Sequence, residues 1–226
     1  SNKFYKLKAE HHGLKKLKYA NKYDSIGNEP VIPFSEATEI CRDVFYSVMP
    51  EYGMFFDTML KNGQIDVYPK KGKRGGAFMS SSVSHPTHVF LNHLDNFKSL
   101  ETLAHEMGHA IHSERSTVQT PLYQGHSITT AETASTLFEN LIFDAVYEQV
   151  SDNKKMILLH DRIGRDIATI ERQIACFNAE LEIHNTINCK GAMSKVELRD
   201  CMTKHLRRYV GPAVDVEDID GYSYVY

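Results

Sequence analysis

No run of about 18 to 20 apolar residues occurs anywhere in the chain, which excludes a membrane-spanning helix. Charge of one sign is also missing. The formal net charge is −3 and the pI about 6.4, so broad nucleic-acid binding is excluded. The cluster Lys15, Lys16 and Lys18 is local and suits a solvated helix face. Cysteine is sparse: Cys41, Cys176, Cys189 and Cys201. None stands at C-x-x-C spacing, which argues against a structural zinc knuckle and fits free thiols in a cytoplasmic protein. No signal peptide, internal repeat or low-complexity segment is visible. What is present is 42% hydrophobic residues in 226, enough for a sizeable core in one domain or a large fragment of one. Oligomeric state leaves no trace in the sequence.

Against this ordinary background stands His105-Glu106-Met107-Gly108-His109. In a helix, residues i and i+4 lie on one face, a turn apart, so His105 and His109 can bind one metal ion. Glu106 falls beside that ion, where a carboxylate can take a proton from a bound water. H-E-x-x-H is the metallopeptidase spacing. Leu100 to Ala104, just ahead, suits a buried helix. His112 follows at the next turn; it fits a hydrogen-bonding role near the site better than a ligand role.

Catalytic zinc takes three protein ligands and leaves a position open. Ala131 to Asn140 forms a second helical pattern in which Glu132 and Glu139 lie two turns apart on one face. If that face meets the first helix, Glu132 completes a His, His, Glu set. Glu139 is then placed to hold a ligand histidine, or it is an ordinary solvated glutamate. His126 can reach the same region from the connecting loop. His85, His88 and His93 suit strand or loop surfaces. His160, His184 and His205 lie in helices with no partner at ligand spacing and are taken as structural.

Leu103-Ala104-His105-Glu106-Met107-Gly108-His109-Ala110-Ile111-His112-Ser113, followed by Ala131 to Thr136, resembles the thimet oligopeptidase and oligoendopeptidase F family of zinc peptidases, the second branch more closely. The likeness extends over Ile65 to Tyr68, Gly72 to Phe78, Val89 to Asn92, Tyr209 to Val214 and Gly221 to Tyr224, and spans about Ile32 to Tyr226. It implies a mainly α fold with a small β-sheet, the catalytic region of a zincin-like metallopeptidase. It also implies one zinc per chain on His105, His109 and Glu132, with Glu106 as general base. The implied substrates are short peptides cleaved internally within a deep channel.

Members of that family are much longer. They carry a further N-terminal helical lobe, and a C-terminal stretch containing His and Tyr that holds the substrate carbonyl. On this comparison residues 1–226 form a partial catalytic domain with impaired turnover, since losing one oxyanion donor costs about a hundredfold or more in rate. Ser1-Asn2 has the look of a scar left by tag removal. A zinc-containing peptide-binding fragment without turnover is the rival expectation. A structural helical protein whose H-E-x-x-H is accidental is a third.

The remaining pattern predicts helices over 3–23, from Ser35 as N-cap to Val48, and over 50–61. Residues 64–69 and 87–92 are strand candidates, with 77–79 as a short strand inside a glycine-rich loop. Gly75 and Gly76 either let a peptide backbone approach or simply shape a hairpin. Further helices are expected over 99–114, from about Glu132 to Val150, over 152–188 and over 194–209. The long one carries Met156, Leu159, Ile163, Ile167, Ile170, Ile174 and Phe177 at spacings of three and four.

Overall fold

The computed structural model describes residues 1–224; the end of the family likeness, at Val225 and Tyr226, lies outside them. The chain is mainly helical with small sheets, as expected, and divides into two compact units: residues 29–154, and residues 1–28 with 155–226. No helix among the described residues is long and apolar enough to cross a membrane.

The unit of residues 29–154 is a sheet edge with helices packed on it. Helix α2 (Phe34–Val48) and helix α3 (Pro50–Lys61) form a pair. Pro33, not Ser35, precedes the first helical residue of α2, because its fixed φ already suits a helix start. Three strands follow: β2 (Ile65–Asp66), β3 (Phe78–Ser82) and β4 (His85–Phe90), in the order β2-β4-β3. β3 runs antiparallel to β4, with Met79 opposite Val89; β2 runs parallel, with Ile65 opposite Val89. The short strand expected at 77–79 is thus a full edge strand reaching Ser82. The glycine-rich segment before it is pinned rather than free. Lys73 Nζ donates to Tyr68 O at 2.9 Å and pairs with Asp66 at 3.1 Å. Asn92 Nδ2 donates to the carbonyls of Arg74 and Gly76, each at 2.9 Å.

Helix α4 (Phe97–Ser116) begins at Asn96, whose side chain accepts from Ser99 N, and α5 (Ile128–Gln149) begins at Ser127, which caps Thr130 N. Both start a few residues ahead of expectation because polar caps outside the apolar pattern set their ends. Their shared core joins Leu100, Leu103, Ala104 and Met107 to Phe138 and Ile142, all buried. Phe45 stacks edge-on against both Phe56 and Phe138, with centroids 5.2 Å apart in each case. A fully buried Leu or Phe stabilises by about 1.5–3 kcal/mol, so this cluster holds α4 firmly.

In the other unit, α1 is Asn2–His11. The helix expected to Tyr23 stops early because Gly13 adopts φ +66°, and Leu14 N turns back to Ala9 O at 2.9 Å. Leu17–Lys18 then becomes β1, parallel to β5 (Val214–Asp215), and Tyr19–Tyr23 a 3-10 turn. The long helix is α6 (Asp152–Ile167), a π-helical turn over Ala168–Arg172, and α7 (Gln173–Lys190), ended by Gly191 at φ +85°. Helix α8 (Lys195–Val210) starts with the expected capping box of Ser194 and Glu197. Its Met202, Leu206 and Val210 share a core with Tyr5, Ala9, Leu17, Ala175 and Ala179. The periodic stripe mostly faces outward: Met156, Leu159, Ile163, Ile170, Ile174 and Phe177 are exposed, and Ile157, Leu158, Ala175 and Ala179 are buried instead. Small alanines on α7 let α8 approach closely, and that close contact decides which face turns in.

Candidate metal centre

Helices α4 and α5 bring His105, His109 and Glu132 together. His105 Nε2 and His109 Nε2 are 3.1 Å apart; Glu132 Oε2 is 3.4 Å from the first and 3.7 Å from the second. Tetrahedral zinc with bonds of about 2.0–2.1 Å has donor-to-donor edges of about 3.3 Å. The three observed edges bracket that value. Two imidazole nitrogens and a carboxylate oxygen facing one point form an electron-rich pocket that a cation satisfies. The donor set therefore fits zinc, the type of ion for which two imidazoles and one carboxylate are a common set.

The crossing of the helices explains why Glu132 arrives there. A Cβ on Gly108 would lie 2.7 Å from Ser135 Cα and 2.9 Å from Ala134 O. Only glycine lets the two backbones touch at this point, one turn from Glu132. Buried Ser135 then donates from Oγ to Glu132 Oε2 at 2.8 Å, fixing the carboxylate rotamer. Sequence reasoning passed over both residues. The signal was available: a glycine inside the motif itself, and a serine three residues after the third ligand candidate.

His105 Nδ1 hydrogen-bonds Glu139 Oε1, which leaves Nε2 to face the centre. Of the two readings open for Glu139, the structure favours the one that orients a histidine. Burial disfavours charge on His105, but Glu139, with Glu106 and Glu132 behind it, outweighs burial and raises its pKa. His109 is lowered, first by burial and then by neighbouring His105. Glu106 is buried on the same helix. Burial raises its pKa above the usual carboxylate value, while His105 and a hydrogen bond from the Met79 backbone oppose that rise. A carboxylate with a raised affinity for protons, next to a cation site, is suited to accept one.

His112 is not in the donor group. It stacks on His126, centroids 4.2 Å apart, and the pair lies near enough to His109 to weigh on its charge. His93 departs from expectation: it is buried, with Nε2 3.3 Å from Ile32 O, because the loop after β4 folds under Phe34. His205 departs as well. It meets Glu182 at 2.8 Å and shares a three-donor cluster with Cys201. The signal was the i, i+4 spacing of Cys201 and His205 on one helix.

A helix carrying H-E-x-x-H, a second helix crossing it at a glycine, and a three-stranded sheet alongside define the zincin-like class. The match to the model of Peptidase family M3 covers residues 34–224, and the chain belongs to that family. It is 30% identical over 164 residues to the oligoendopeptidase F homolog of Borreliella burgdorferi, covering 71% of this chain and 28% of that protein. It is 30% identical over 155 residues to oligopeptidase PepF of Bacillus subtilis, covering 68% and 23%. The solved structure of PZ peptidase A with an inhibitor superimposes with a TM-score of 0.72 at 19% identity, over 99% of this chain and 40% of that one, a likeness of fold alone. The chain thus spans under a third of the length of the two curated relatives.

Proposed function

We propose that this chain is the zinc-binding catalytic region of a metalloendopeptidase that hydrolyses short peptides. The observation that carries the reading is the convergence of His105 Nε2, His109 Nε2 and Glu132 Oε2 at 3.1–3.7 Å. Zinc held there, one per chain, would supply a Lewis acid for the scissile carbonyl and a lowered pKa for water. Glu106 accepts the proton of the attacking water on its carboxylate and delivers it to the leaving amine. Glu139 holds His105 in the tautomer that keeps Nε2 free. The open edge of β3, beside Glu106 at Met79, offers backbone groups to an extended peptide. Beside the segment that leads into β3, a cleft of about 310 Å³ lies along the first turns of α4, lined by Gly76, Ala77, Asn92, Ser99 and Thr102. Four free cysteines and the balanced charge suit a cytoplasmic protein acting on peptides rather than nucleic acid.

The test pairs zinc analysis with cleavage of a quenched peptide. The expected result is one zinc bound at this site, and turnover that Glu106→Gln abolishes while that zinc remains. Retained cleavage in that variant would remove Glu106 from the role. Saturable binding of a peptide that stays intact would instead mark peptide binding without turnover.

A further inference from the structure

We propose that Glu182, Cys201 and His205 form a second site for a divalent metal ion of the zinc class, separate from the centre on α4 and α5. Cys201 and His205 stand one turn apart on α8, and Glu182 faces them from α7. Cysteine and histidine at i and i+4 project from one helix face, the geometry that lets two side chains share one ion. One donor atom from each of the three lies within 4.8 Å of the others. Thiolate, imidazole and carboxylate together select a borderline ion such as zinc over magnesium or calcium.

The local surroundings suit a partly closed site. Cys201 is buried, its Sγ 3.8 Å from Ala179 O, so the sulfur is fixed in position. His205 and Glu182 are half-buried and line an open cavity of about 630 Å³ with Asn178, Asn185 and Arg208. Because His205 and Glu182 open onto that cavity, a fourth ligand such as water would enter from that side. Tetrahedral edges with one zinc–sulfur bond are about 3.3–3.6 Å, a spacing that rotation of the three side chains about the shared point would set. His205 Nε2 already meets Glu182 Oε2 at 2.8 Å.

Lys204 holds the place of the cation. Its ammonium lies against both carboxylate oxygens of Glu182, yet its side chain is 58% exposed. Exposed ion pairs contribute little to stability, so the ammonium can swing into solvent when a metal binds. Binding also releases the Cys201 thiol proton to solvent, and affinity rises with pH accordingly. The bound ion would bridge α7 and α8.

Cobalt(II) titration of the full chain tests the proposal, because a thiolate ligand gives a near-ultraviolet charge-transfer band. His105, His109 and Glu132 supply no sulfur, so the band reports the second site alone. The expected result is the band in the unaltered chain and in His109→Ala, and its loss in Cys201→Ser with one metal still bound. Cys189→Ser, which removes the exposed thiol lining the same cavity, should keep the band. Lys204→Met should tighten binding severalfold. If Cys201→Ser perturbs the far-ultraviolet circular dichroism, His205→Ala carries the test through loss of one metal equivalent. A chain that binds a single cobalt without the band, or a band that vanishes with Cys189→Ser and survives Cys201→Ser, overturns the assignment.

Discussion

Glu139 makes no contact with the point where the three donors meet, yet it controls one of them through His105 Nδ1. Removing a group that orients a ligand histidine lowers metal affinity by about 10–100-fold. Glu139→Ala should show that loss in a competition titration against a chromophoric chelator, while Glu139→Gln, which still accepts a hydrogen bond, should lose less. Equal affinity in all three chains would mean that His105 needs no orientation. Lys22 shows a different residue-scale effect. It is buried, with Nζ 3.5 Å over the Tyr19 ring, and burial followed by Arg172 lowers its pKa from 10.5 to about 8. Between those values the unfolded chain holds more protons than the folded one, so stability rises with pH from about 8 toward 10.5. Tyr19, pushed up to about 12, opposes this only above about pH 10, where unfolded tyrosine begins to ionise. Lys22→Met should flatten the rise and stabilise the chain at pH 7, by at most about 3 kcal/mol. Denaturation midpoints at several pH values check it; identical slopes in the two chains would contradict it. At this scale the pairing of His105 with His109 was legible from helical spacing, and Glu132 from the second helical pattern together with the family resemblance. Buried His93 and Lys22, and the approach of Glu182 to His205, were not, because long-range packing decides them.

The element that positions the centre is the crossing of α4 and α5, and Gly108 is its contact point. Replacing glycine by alanine inside a helix normally gains about 1 kcal/mol from propensity. Here the added Cβ meets backbone atoms at 2.7 and 2.9 Å, and backbone cannot rotate away. Overpacking costs about 1–3 kcal/mol and outweighs the gain. Gly108→Ala should therefore lower the melting temperature and also weaken metal binding, because separating the helices moves Glu132 from His105 and His109. A stabilised variant with unchanged zinc affinity would refute this account of the crossing. Helix existence was legible wherever caps and apolar spacing agreed, as at Ser194 for α8. It failed where one residue reversed the backbone, as Gly13 does after α1. The apolar stripe from Met156 to Phe177 predicted a helix correctly but did not mark its inward face, since the alanines that do face inward carry little hydrophobic signal.

For the whole molecule, the division into two units separates the proposed chemistry from the rest of the chain. His105, Glu106, His109, Glu132 and Glu139 all fall within residues 29–154. The family assignment was legible from about Ile32 onward because its motifs are distributed along that stretch, whereas the boundary inside α6 left no compositional mark. Binding to the folded state alone stabilises by about 4 kcal/mol when free metal is a thousandfold above its Kd. That free energy enters where the ligands are anchored, so protection against amide exchange should not be uniform. In a Cys201→Ser chain, which lacks the second metal site, restoring zinc after chelation should slow exchange in α4 and α5. Helices α1 and α8 should exchange as before, and Glu132→Ala should abolish the slowing. Hydrogen exchange read peptide by peptide distinguishes the cases. Slowing spread evenly over both units would show that the chain unfolds as one cooperative body and that the division does not govern its energetics.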